Sequence, residues 1–386
     1  MKLRFLTAGE SHGKALVAIL EGLPSGLEIN SEYIQKHMKR RKLGYGRGAR
    51  QKIEDDLVQI LSGVRHGRTL ASPVALLVEN KDSKNWSDVM QIEEPQGEVR
   101  RQVEVPRPGH ADYIGAVKYQ FDDMRNVLER SSARETTMRV AVGTLARRLL
   151  EEVGIQVASR VIELGSVIDK SEATSDLVEM SHVIDSHPSR ALGVDADKRM
   201  CQLVDETQAK GETLGGVFEV IAKGLPIGLG SYVQWDRRLE AEIGKAFLSL
   251  NAIKGVEIGL GFALARSFGS EAHDELEPGL QNKKLKYKSN RSGGIDGGMS
   301  TSQPLVIRAG MKPLSTLMKP LDSVKLSTNE SAKAHVERSD VTAVASAAVI
   351  GESLLCLVLA DAVLDKFGGD SIGELKSRVI AWRNQF

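Results

Sequence analysis

The stretch TMRVAVGTLARRLLEEV, residues 137–153, carries the clearest periodic pattern in the chain. Apolar side chains recur along it at spacings of four, three, four and four residues, which predicts an amphipathic helix with one face in the core. These side chains are Met138, Val142, Leu145, Leu149 and Val153. Gly154 follows as a stop signal, and residues 155–161 then alternate as a half-buried strand does.

Further strands are predicted on both sides of this helix, at residues 3–8, 56–64, 73–79 and 217–221. A helix could follow the first strand from Lys14, but the Gly-Leu-Pro sequence at 22–24 ends anything helical. Ser31 is suited to cap a helix that continues through Arg40.

Two features are predicted in the second half of the chain. The segment 273–294 is polar and basic, and we interpret it as a mobile loop. Either Ser339 or Asp340 can cap a long, apolar final helix.

One short sequence occurs twice. Gly-Leu-Pro-Ser-Gly-Leu at 22–27 returns as Gly-Leu-Pro-Ile-Gly-Leu at 224–229, and each copy follows an apolar run. This repeat is consistent with duplication of half of the chain, although six residues can also agree by coincidence.

Length and composition indicate an ordinary globular protein. A chain of 386 residues can form two or three domains, or one large α/β or α+β domain. The 52 basic and 51 acidic residues nearly cancel, which argues against a protein whose whole surface binds nucleic acid or membrane. Cys201 and Cys356 are far apart, so no disulfide framework is expected and a reducing compartment is favoured.

The N-terminus lacks the basic and apolar regions of a signal peptide. The longest apolar stretch, 341–364, is interrupted by Gly351, Glu352 and Ser353, so a buried core helix is expected there rather than a membrane span. Together these features predict a cytoplasmic protein without a membrane partner.

Residues 9–13, Gly-Glu-Ser-His-Gly, follow the first strand and match the G-x-S-x-G turn of serine hydrolases. A hydrolase also needs an oxyanion loop from an earlier strand, and only eight residues precede Gly9. His12 in the same turn could act as an acid or a base, because such turns expose side chains at strand ends.

Residues 40–50, RRKLGYGRGAR, alternate arginines with glycines. Glycine lets the backbone approach an anion, and arginine offers paired donors to phosphate or carboxylate. The alternatives are a solvated basic loop and an RNA-binding segment.

Two other segments combine charged and hydroxyl side chains. Residues 106–113 form a rigid turn that holds Arg107, His110 and Asp112. Residues 129–136, Glu-Arg-Ser-Ser-Ala-Arg-Glu-Thr, lead into the amphipathic helix, where free N–H groups and two arginines suit an anion, although a plain helix cap explains them equally well.

Three further motifs follow later in the chain. Residues 290–298 are rich in glycine but have neither the Walker pattern nor the dinucleotide-binding spacing. Residues 312–316 add a lysine and hydroxyls, and 335–340 read His-Val-Glu-Arg-Ser-Asp. No cysteine or histidine cluster has zinc spacing and no calcium loop is present, so no metal site is expected.

Taken together, these motifs resemble the chorismate synthase family along essentially the whole chain. The resemblance rests on their order and approximate spacing at 9–13, 41–50, 108–112, 129–136, 251–255, 293–298, 312–316 and 338–340. It implies an α+β fold, a single-domain β-α-β sandwich over residues 1–386 with helices between two antiparallel sheets, assembled as a homotetramer.

The resemblance also implies an activity. The family consists of lyases that convert 5-enolpyruvylshikimate 3-phosphate to chorismate and phosphate by 1,4-elimination, with reduced FMN as cofactor, in the shikimate pathway to aromatic amino acids. A substrate with one phosphate and two carboxylates explains why so many arginines lie in glycine-rich turns.

Residue roles follow from matching this sequence to the family motifs. His12 is expected to protonate the departing phosphate, His110 to manage charge on the reduced flavin, and Asp340 to relay a proton. The substrate or NADP is expected at Arg41, Arg47, Arg50 and Arg134, although the family's NADP positions, Arg41 and Arg47, could equally hold substrate phosphate. FMN is expected at Arg130, Ser131, Ser132, Asn251, Ala252, Gly297, Lys312, Pro313, Leu314, Ser315, Thr316 and Arg338.

Three smaller expectations complete the interpretation. Asp296, in the glycine-rich loop, should point to solvent, because a buried carboxylate beside a phosphate would be costly. No nicotinamide domain is evident, so we predict a monofunctional enzyme, with NADPH possible only as the source of reducing equivalents. The rival interpretations are a serine hydrolase acting through Ser11 and an RNA-binding protein using segments 39–50 and 283–291.

Overall fold

The computed structural model describes residues 3–48, 53–95, 97–279, 285–337 and 340–385. Its ten α-helices within these ranges are α1 Ser31–Lys42, α2 Asp112–Tyr119, α3 Arg125–Ser131, α4 Thr136–Glu152, α5 Leu177–Ser186, α6 Val194–Ala209, α7 Leu239–Leu248, α8 Gly269–Ala272, α9 Val344–Phe367 and α10 Ile372–Arg383. Short 3₁₀ helices lie at Lys81–Trp86, Ala133–Glu135, Trp235–Arg237 and Gly261–Arg266.

The strands in the same ranges belong to two main sheets and four hairpins. They are β1 Arg4–Ala8, β2 Ala15–Glu21, β3 Val58–Ile60, β4 Val64–Arg65, β5 Arg68–Thr69, β6 Val74–Glu79, β7 Gln156–Leu164, β8 Val167–Ile168, β9 Gly216–Lys223, β10 Ile253–Ile258, β11 Leu276–Pro278, β12 Leu285–Tyr287, β13 Ile295–Asp296, β14 Met299–Ser300, β15 Leu305–Met311, β16 Asp322–Lys325 and β17 Glu330–Lys333.

The two main sheets enclose a helical layer. One has the strand order β1-β2-β6-β3 and the other β10-β15-β9-β7-β8, with antiparallel pairing throughout. Helix α4 packs on β2 and β6, α9 packs on β7 and β9, and the two helices pack on each other. The predicted α+β sandwich is therefore confirmed.

The core between the sheets is built mainly from aliphatic residues. One continuous cluster runs from Leu3 to Val379 and includes the apolar face of α4. Because this main cluster joins residues from both ends of the chain, with two small clusters beside it, we keep the single-domain description of residues 1–386 as our proposal.

The two sheets repeat the same plan. The order β1-β2-β6-β3 corresponds to β7-β9-β15-β10, and a hairpin precedes the third strand of each series, β4–β5 before β6 and β13–β14 before β15. The echoed sequence follows β2 in one half and β9 in the other.

The hydrogen bonds around the two copies agree in detail. Thr69 Oγ1 accepts from the N–H of Leu27 at 2.9 Å and donates to the carbonyl of Pro24 at 2.6 Å. Ser300 Oγ accepts from the N–H of Leu229 at 2.9 Å and donates to the carbonyl of Pro226 at 2.6 Å. The repeated sequence therefore marks two equivalent halves of the fold.

Several boundaries differ from the sequence-based predictions. The predicted helix after Lys14 is wrong, since β2 forms there and pairs on both sides, with β1 and β6. Asn30 rather than Ser31 caps α1, because its Oδ1 accepts from the N–H of Tyr33 at 2.7 Å. The segment 273–294 includes the paired strands β11 and β12, and its residues 280–284 lie outside the described residues.

The last long helix, α9, begins at Val344 rather than at Ser339 or Asp340. It is long and apolar enough to cross a membrane. However, 83% of its most apolar 18-residue stretch is buried inside the protein, as expected for a core helix. Cys356 on this helix is a buried free thiol whose pKa burial raises to about 12, and Cys201 is also free. Asp296 is exposed, as predicted.

Candidate active site

A cavity of about 450 Å³ opens where several segments of the chain meet. The turn after β1, the loop after α1, the turn before α2, the start of α4, the loop after α7, the end of β15 and the first turns of α9 all contribute to its wall. Among the described residues, five cationic side chains line it, Arg41, Arg47, Arg107, Arg134 and Lys312, against three carboxylates, Glu54, Glu337 and Asp340. The cavity is thus suited to an anionic ligand.

His12 is anchored from two sides at this cavity. Its Nδ1 lies 2.8 Å from Oε1 of Glu129, and its ring stacks on Trp86 with 3.9 Å between ring centroids. Both His12 and Glu129 are buried. With Nδ1 occupied by the carboxylate, Nε2 is the ring nitrogen left for a ligand.

The turn between β1 and β2 excludes the hydrolase geometry. A nucleophile elbow leads from a strand into a helix, whereas residues 9–13 join two antiparallel strands. Ser11 lines the cavity, but its neighbour His12 is paired with Glu129.

His110 is held by a second buried carboxylate, that of Asp112. Nδ1 of His110 lies 2.5 Å from Asp112 Oδ1, while Arg107 donates to both oxygens of Asp112, at 2.8 and 3.0 Å. Burial alone would raise the pKa of Asp112, but the hydrogen bonds from His110 and Arg107 outweigh it and hold that pKa well below its usual range. An ionised Asp112 fixes the ring of His110, which lines the cavity through its other edge.

Two buried arginines share one carboxylate on the floor of the site. Arg134 donates to Oδ1 of Asp56, and NH1 of Arg41 lies 3.4 Å from Oδ2 of the same residue. Arg41 also donates to Thr136 Oγ1 at 3.0 Å. Burial and the nearby positive charge of Arg134 outweigh the opposing effect of Asp56 and lower the pKa of Arg41 to about 10.

Arg47 joins the glycine-rich loop to the region preceding α9. Its NH1 lies 3.0 Å from Oδ2 of Asp340, whose Oδ1 accepts from the N–H of Gly48 at 2.6 Å. The Nε of Arg47 is buried and has no hydrogen-bond partner among the described residues. A glycine is required at position 46, because φ is +79° and a Cβ there would lie 2.6 Å from Val204.

Another part of the cavity wall is formed largely by backbone and small side chains. Ala252 adopts a φ of +65°, and its carbonyl accepts from the N–H of Lys312 at 3.0 Å. Asn251 Nδ2 donates to the carbonyl of Ser131 at 2.9 Å, and Ser315 Oγ donates to the carbonyl of Gly109 at 2.9 Å. These bonds bring four separate predicted motifs into one surface.

Most of the predicted site residues line this one cavity. They are His12, Arg41, Arg47, His110, Ser131, Ser132, Arg134, Asn251, Ala252, Lys312, Pro313, Leu314, Ser315, Thr316 and Asp340. Arg130 instead donates to the carbonyls of Thr7 and Gly9, and Gly297 lies in the turn between β13 and β14. Arg50 and Arg338 lie outside the described residues.

Sequence reasoning gave no role to several residues that shape the site. Glu129 and Asp112 belong to motifs that were recognised, but their pairing with the two histidines was not predicted. Asp56 and Trp86 lie outside every motif, and no pattern in the sequence pointed to them. No group of three or more His, Cys, Asp or Glu side chains within the described ranges is placed to hold a metal ion.

Comparison with known proteins identifies relatives over nearly the full chain. A sequence model of the family described as chorismate synthase matches residues 3–364. Chorismate synthases of Enterococcus faecalis and Geobacillus kaustophilus are each 50% identical, over 99% and 98% of this chain and 98% and 97% of their own lengths. A crystal structure titled as chorismate synthase superposes with a TM-score of 0.80 and 39% identity, covering 100% of this chain and 98% of that one.

Proposed function

The chain belongs to the chorismate synthase family and is a lyase, and on this premise we propose its substrate and cofactor. It converts 5-enolpyruvylshikimate 3-phosphate to chorismate and inorganic phosphate by 1,4-elimination in the presence of reduced FMN. This reaction serves the shikimate pathway to aromatic amino acids. The observation that carries the proposal is the cavity itself, in which two carboxylate-anchored histidines share one space with five cationic side chains.

The cationic side chains account for substrate binding. The substrate carries a phosphate and two carboxylates, and arginine pairs with such groups through two parallel hydrogen bonds. Arg41, Arg47 and Arg134 line the cavity, and the buried Nε of Arg47 lacks a partner among the described residues. Arg50, outside the described residues, is proposed to join them.

The two histidines and Asp340 are proposed to handle the protons. Elimination breaks a C–O bond to phosphate and a C–H bond, so phosphate and one proton leave together. His12, with Nδ1 bound to Glu129, is placed to give a proton from Nε2 to the departing phosphate. Asp340 lines the same cavity and is proposed to relay the proton that the C–H bond releases.

The rest of the cavity wall combines apolar side chains with backbone, and this combination suits a flat, phosphorylated cofactor. Apolar side chains of Leu250, Met311, Leu314, Ala343 and Ile350 line the cavity beside the backbone of 312–316. Its volume of about 450 Å³ falls within the common range for cofactor sites, roughly 300–1,000 Å³.

We therefore propose that reduced FMN binds against this wall. Ser131, Ser132, Asn251, Ala252 and Lys312 through Thr316 would hold it, and His110 would face its charge. Bound there, reduced FMN would supply electron density for the loss of phosphate. Arg130, Gly297 and Arg338 remain proposed contacts.

Three broader properties belong to the same proposal. The chain acts in the cytoplasm, assembles as a homotetramer and does not reduce FMN itself. The absence of a recognisable nicotinamide-binding sequence supports the last point.

One anaerobic assay tests the proposed function. Purified protein is mixed with the phosphorylated substrate and chemically reduced FMN, and chorismate and phosphate are measured together. We expect equal amounts of both products. A change in flavin absorbance that requires the substrate would show joint binding, whereas salt-sensitive binding of polynucleotide without any flavin response would support the RNA-binding alternative.

A further inference from the structure

The carboxylate of Glu129 makes three contacts with His12. Its Oε1 lies 2.8 Å from Nδ1 of the ring, and its Oε2 lies 3.0 Å from the same Nδ1 and accepts from the backbone N–H of His12 at 2.8 Å. The backbone carbonyl of Glu129 also accepts from the N–H of Ser11 at 3.0 Å. The end of α3 therefore fixes both the turn after β1 and the ring that the turn carries.

The surroundings of this pair restrain both side chains. Glu129 is 3% exposed, and Arg125, one turn earlier on α3, has its NH1 3.4 Å from Oε1 of Glu129. Trp86 stacks on the His12 ring, and the guanidinium of Arg101 lies 4.2 Å from the centroid of the Trp86 ring. These contacts restrain the Glu129 carboxylate and the His12 ring from two sides.

We infer that Glu129 is the positioning residue that assigns the proton of His12 to Nδ1 in the neutral ring. A carboxylate can accept from two donors at once, and the backbone N–H of His12 is always a donor. Oε1 can only accept as well, so the ring nitrogen that faces it, Nδ1, must carry the proton. Nε2 is left facing the cavity, where it can gain a proton and give it up. This inference rests on the proposed function for its catalytic consequence, but not for the tautomer.

An isosteric substitution separates charge from shape. In Glu129→Gln the side chain has one acceptor and one NH₂ group. If the amide oxygen keeps the backbone N–H, the NH₂ group takes the place of Oε1, the oxygen nearer to Nδ1 at 2.8 Å against 3.0 Å for Oε2. This shorter contact favours Nδ1 as an acceptor, with the ring proton on Nε2. In the opposite orientation the NH₂ group would face the backbone N–H of His12, which is also a donor. We therefore expect the variant to reverse the tautomer.

The tautomer can be read without any activity measurement. Solid-state ¹⁵N NMR of histidine-labelled full-length protein distinguishes a protonated Nδ1 from a protonated Nε2, and the His12 signals are those missing from His12→Ala. We expect a protonated Nδ1 in the wild type at a pH where the ring is neutral, and a protonated Nε2 in Glu129→Gln. The wild-type tautomer persisting in Glu129→Gln would overturn the inference.

The kinetic consequence is measured in the anaerobic assay with reduced FMN. Glu129→Gln should lower kcat by ~10²-fold or more, within the range that loss of a positioned proton donor costs, and change KM little because Glu129 is not a substrate contact. Glu129→Asp keeps two acceptors and should retain the wild-type tautomer with an intermediate kcat. If Glu129→Gln fails to fold, Glu129→Asp still tests the inference, because a reversed tautomer there would contradict it.

A matched control is available on α4. Glu152 accepts from Lys376 at 2.6 Å, far from the cavity, so Glu152→Gln removes an ion-paired carboxylate without touching His12. It should leave the tautomer and kcat unchanged. A tautomer reversed in Glu129→Gln with kcat intact would uphold the positioning role and refute the proposed acid role of His12.

Discussion

Arg47 and Asp340 form an ion pair in the wall of the cavity, with 3.0 Å between NH1 and Oδ2. They lie 293 residues apart in sequence, and the pair joins the glycine-rich loop after α1 to the segment that leads into α9. It places a proposed anion-binding side chain beside a proposed proton relay. Changes at either residue should therefore affect binding and chemistry together.

The first prediction concerns Arg47. Arg47→Ala should weaken binding of the phosphorylated substrate by ~1.5–3 kcal/mol, because a charge-assisted hydrogen bond to an anion is lost. Substrate affinity can be measured by calorimetry in the presence of FMN, with Arg65→Ala, at an exposed arginine in β4, as the control. Unchanged substrate affinity together with lost polynucleotide binding would reverse the assignment.

The second prediction concerns His12. His12→Ala should lower turnover by ~10² to 10⁴-fold with the fold intact, since a positioned proton donor contributes this much. The exposed His182 on α5 gives a matched control, and His182→Ala should match the wild type. Near-normal turnover in a folded His12→Ala protein would remove His12 from the mechanism.

The third prediction is a pH dependence of stability at Glu337. Burial on its own raises the pKa of Glu337, but the hydrogen bond with His335 and the charge of Arg125 lower it from 4.5 to about 2. A carboxylate with a lowered pKa in the folded state stabilises that state above the unfolded pKa and loses this contribution as pH falls through the folded one.

We therefore expect wild type to be more stable than Glu337→Gln at pH 7, by at most about 3 kcal/mol. The difference should shrink as the pH falls from about 5 towards 2. Urea unfolding at several pH values measures it, with Glu172→Gln at an exposed position as the control. A constant difference down to the acid limit of folding would contradict the prediction.

The fourth prediction tests the equivalence of the two halves. Thr69→Val and Ser300→Ala each leave a buried N–H and a buried carbonyl without their shared hydroxyl partner. Each should lower the free energy of unfolding by ~1–3 kcal/mol. Ser377→Ala, at an exposed hydroxyl on α10, should have little effect. A loss at only one of the two sites would show that the hydroxyls are not equivalent.

The fifth prediction concerns the source of reduced flavin. The protein should be inactive in air with oxidised FMN and NADPH, and active anaerobically once FMN is reduced chemically. Sustained chorismate formation from oxidised FMN and NADPH in the dark, without another reductant, would refute a monofunctional enzyme. Arg41 and Arg47 would then be candidates for a nicotinamide site.

Local patterns in the sequence correctly predicted the helices and strands whose structure depends mainly on their own residues. The 3.6-residue repeat at 137–153 predicted α4 within one residue at each end, and alternation predicted β1 and β7. The prediction of a helix after Lys14 was wrong because β2 is stabilised by pairing with β1 and β6. The residues of a strand do not by themselves reveal such partners. Likewise, Asp340 could cap a helix, but its carboxylate is taken by Arg47 and Gly48.

The sequence by itself also predicted which motifs are candidates for binding and catalysis, since arginines and histidines beside glycines can reach a ligand from a tight turn. Only the tertiary structure decided how those groups are held. Glu129 contacts His12 across 117 residues, and Asp56 joins Arg41 to Arg134 from outside every motif. Such partners are chosen by burial, because a charge removed from water must find its counterpart in space, however far away it lies along the chain.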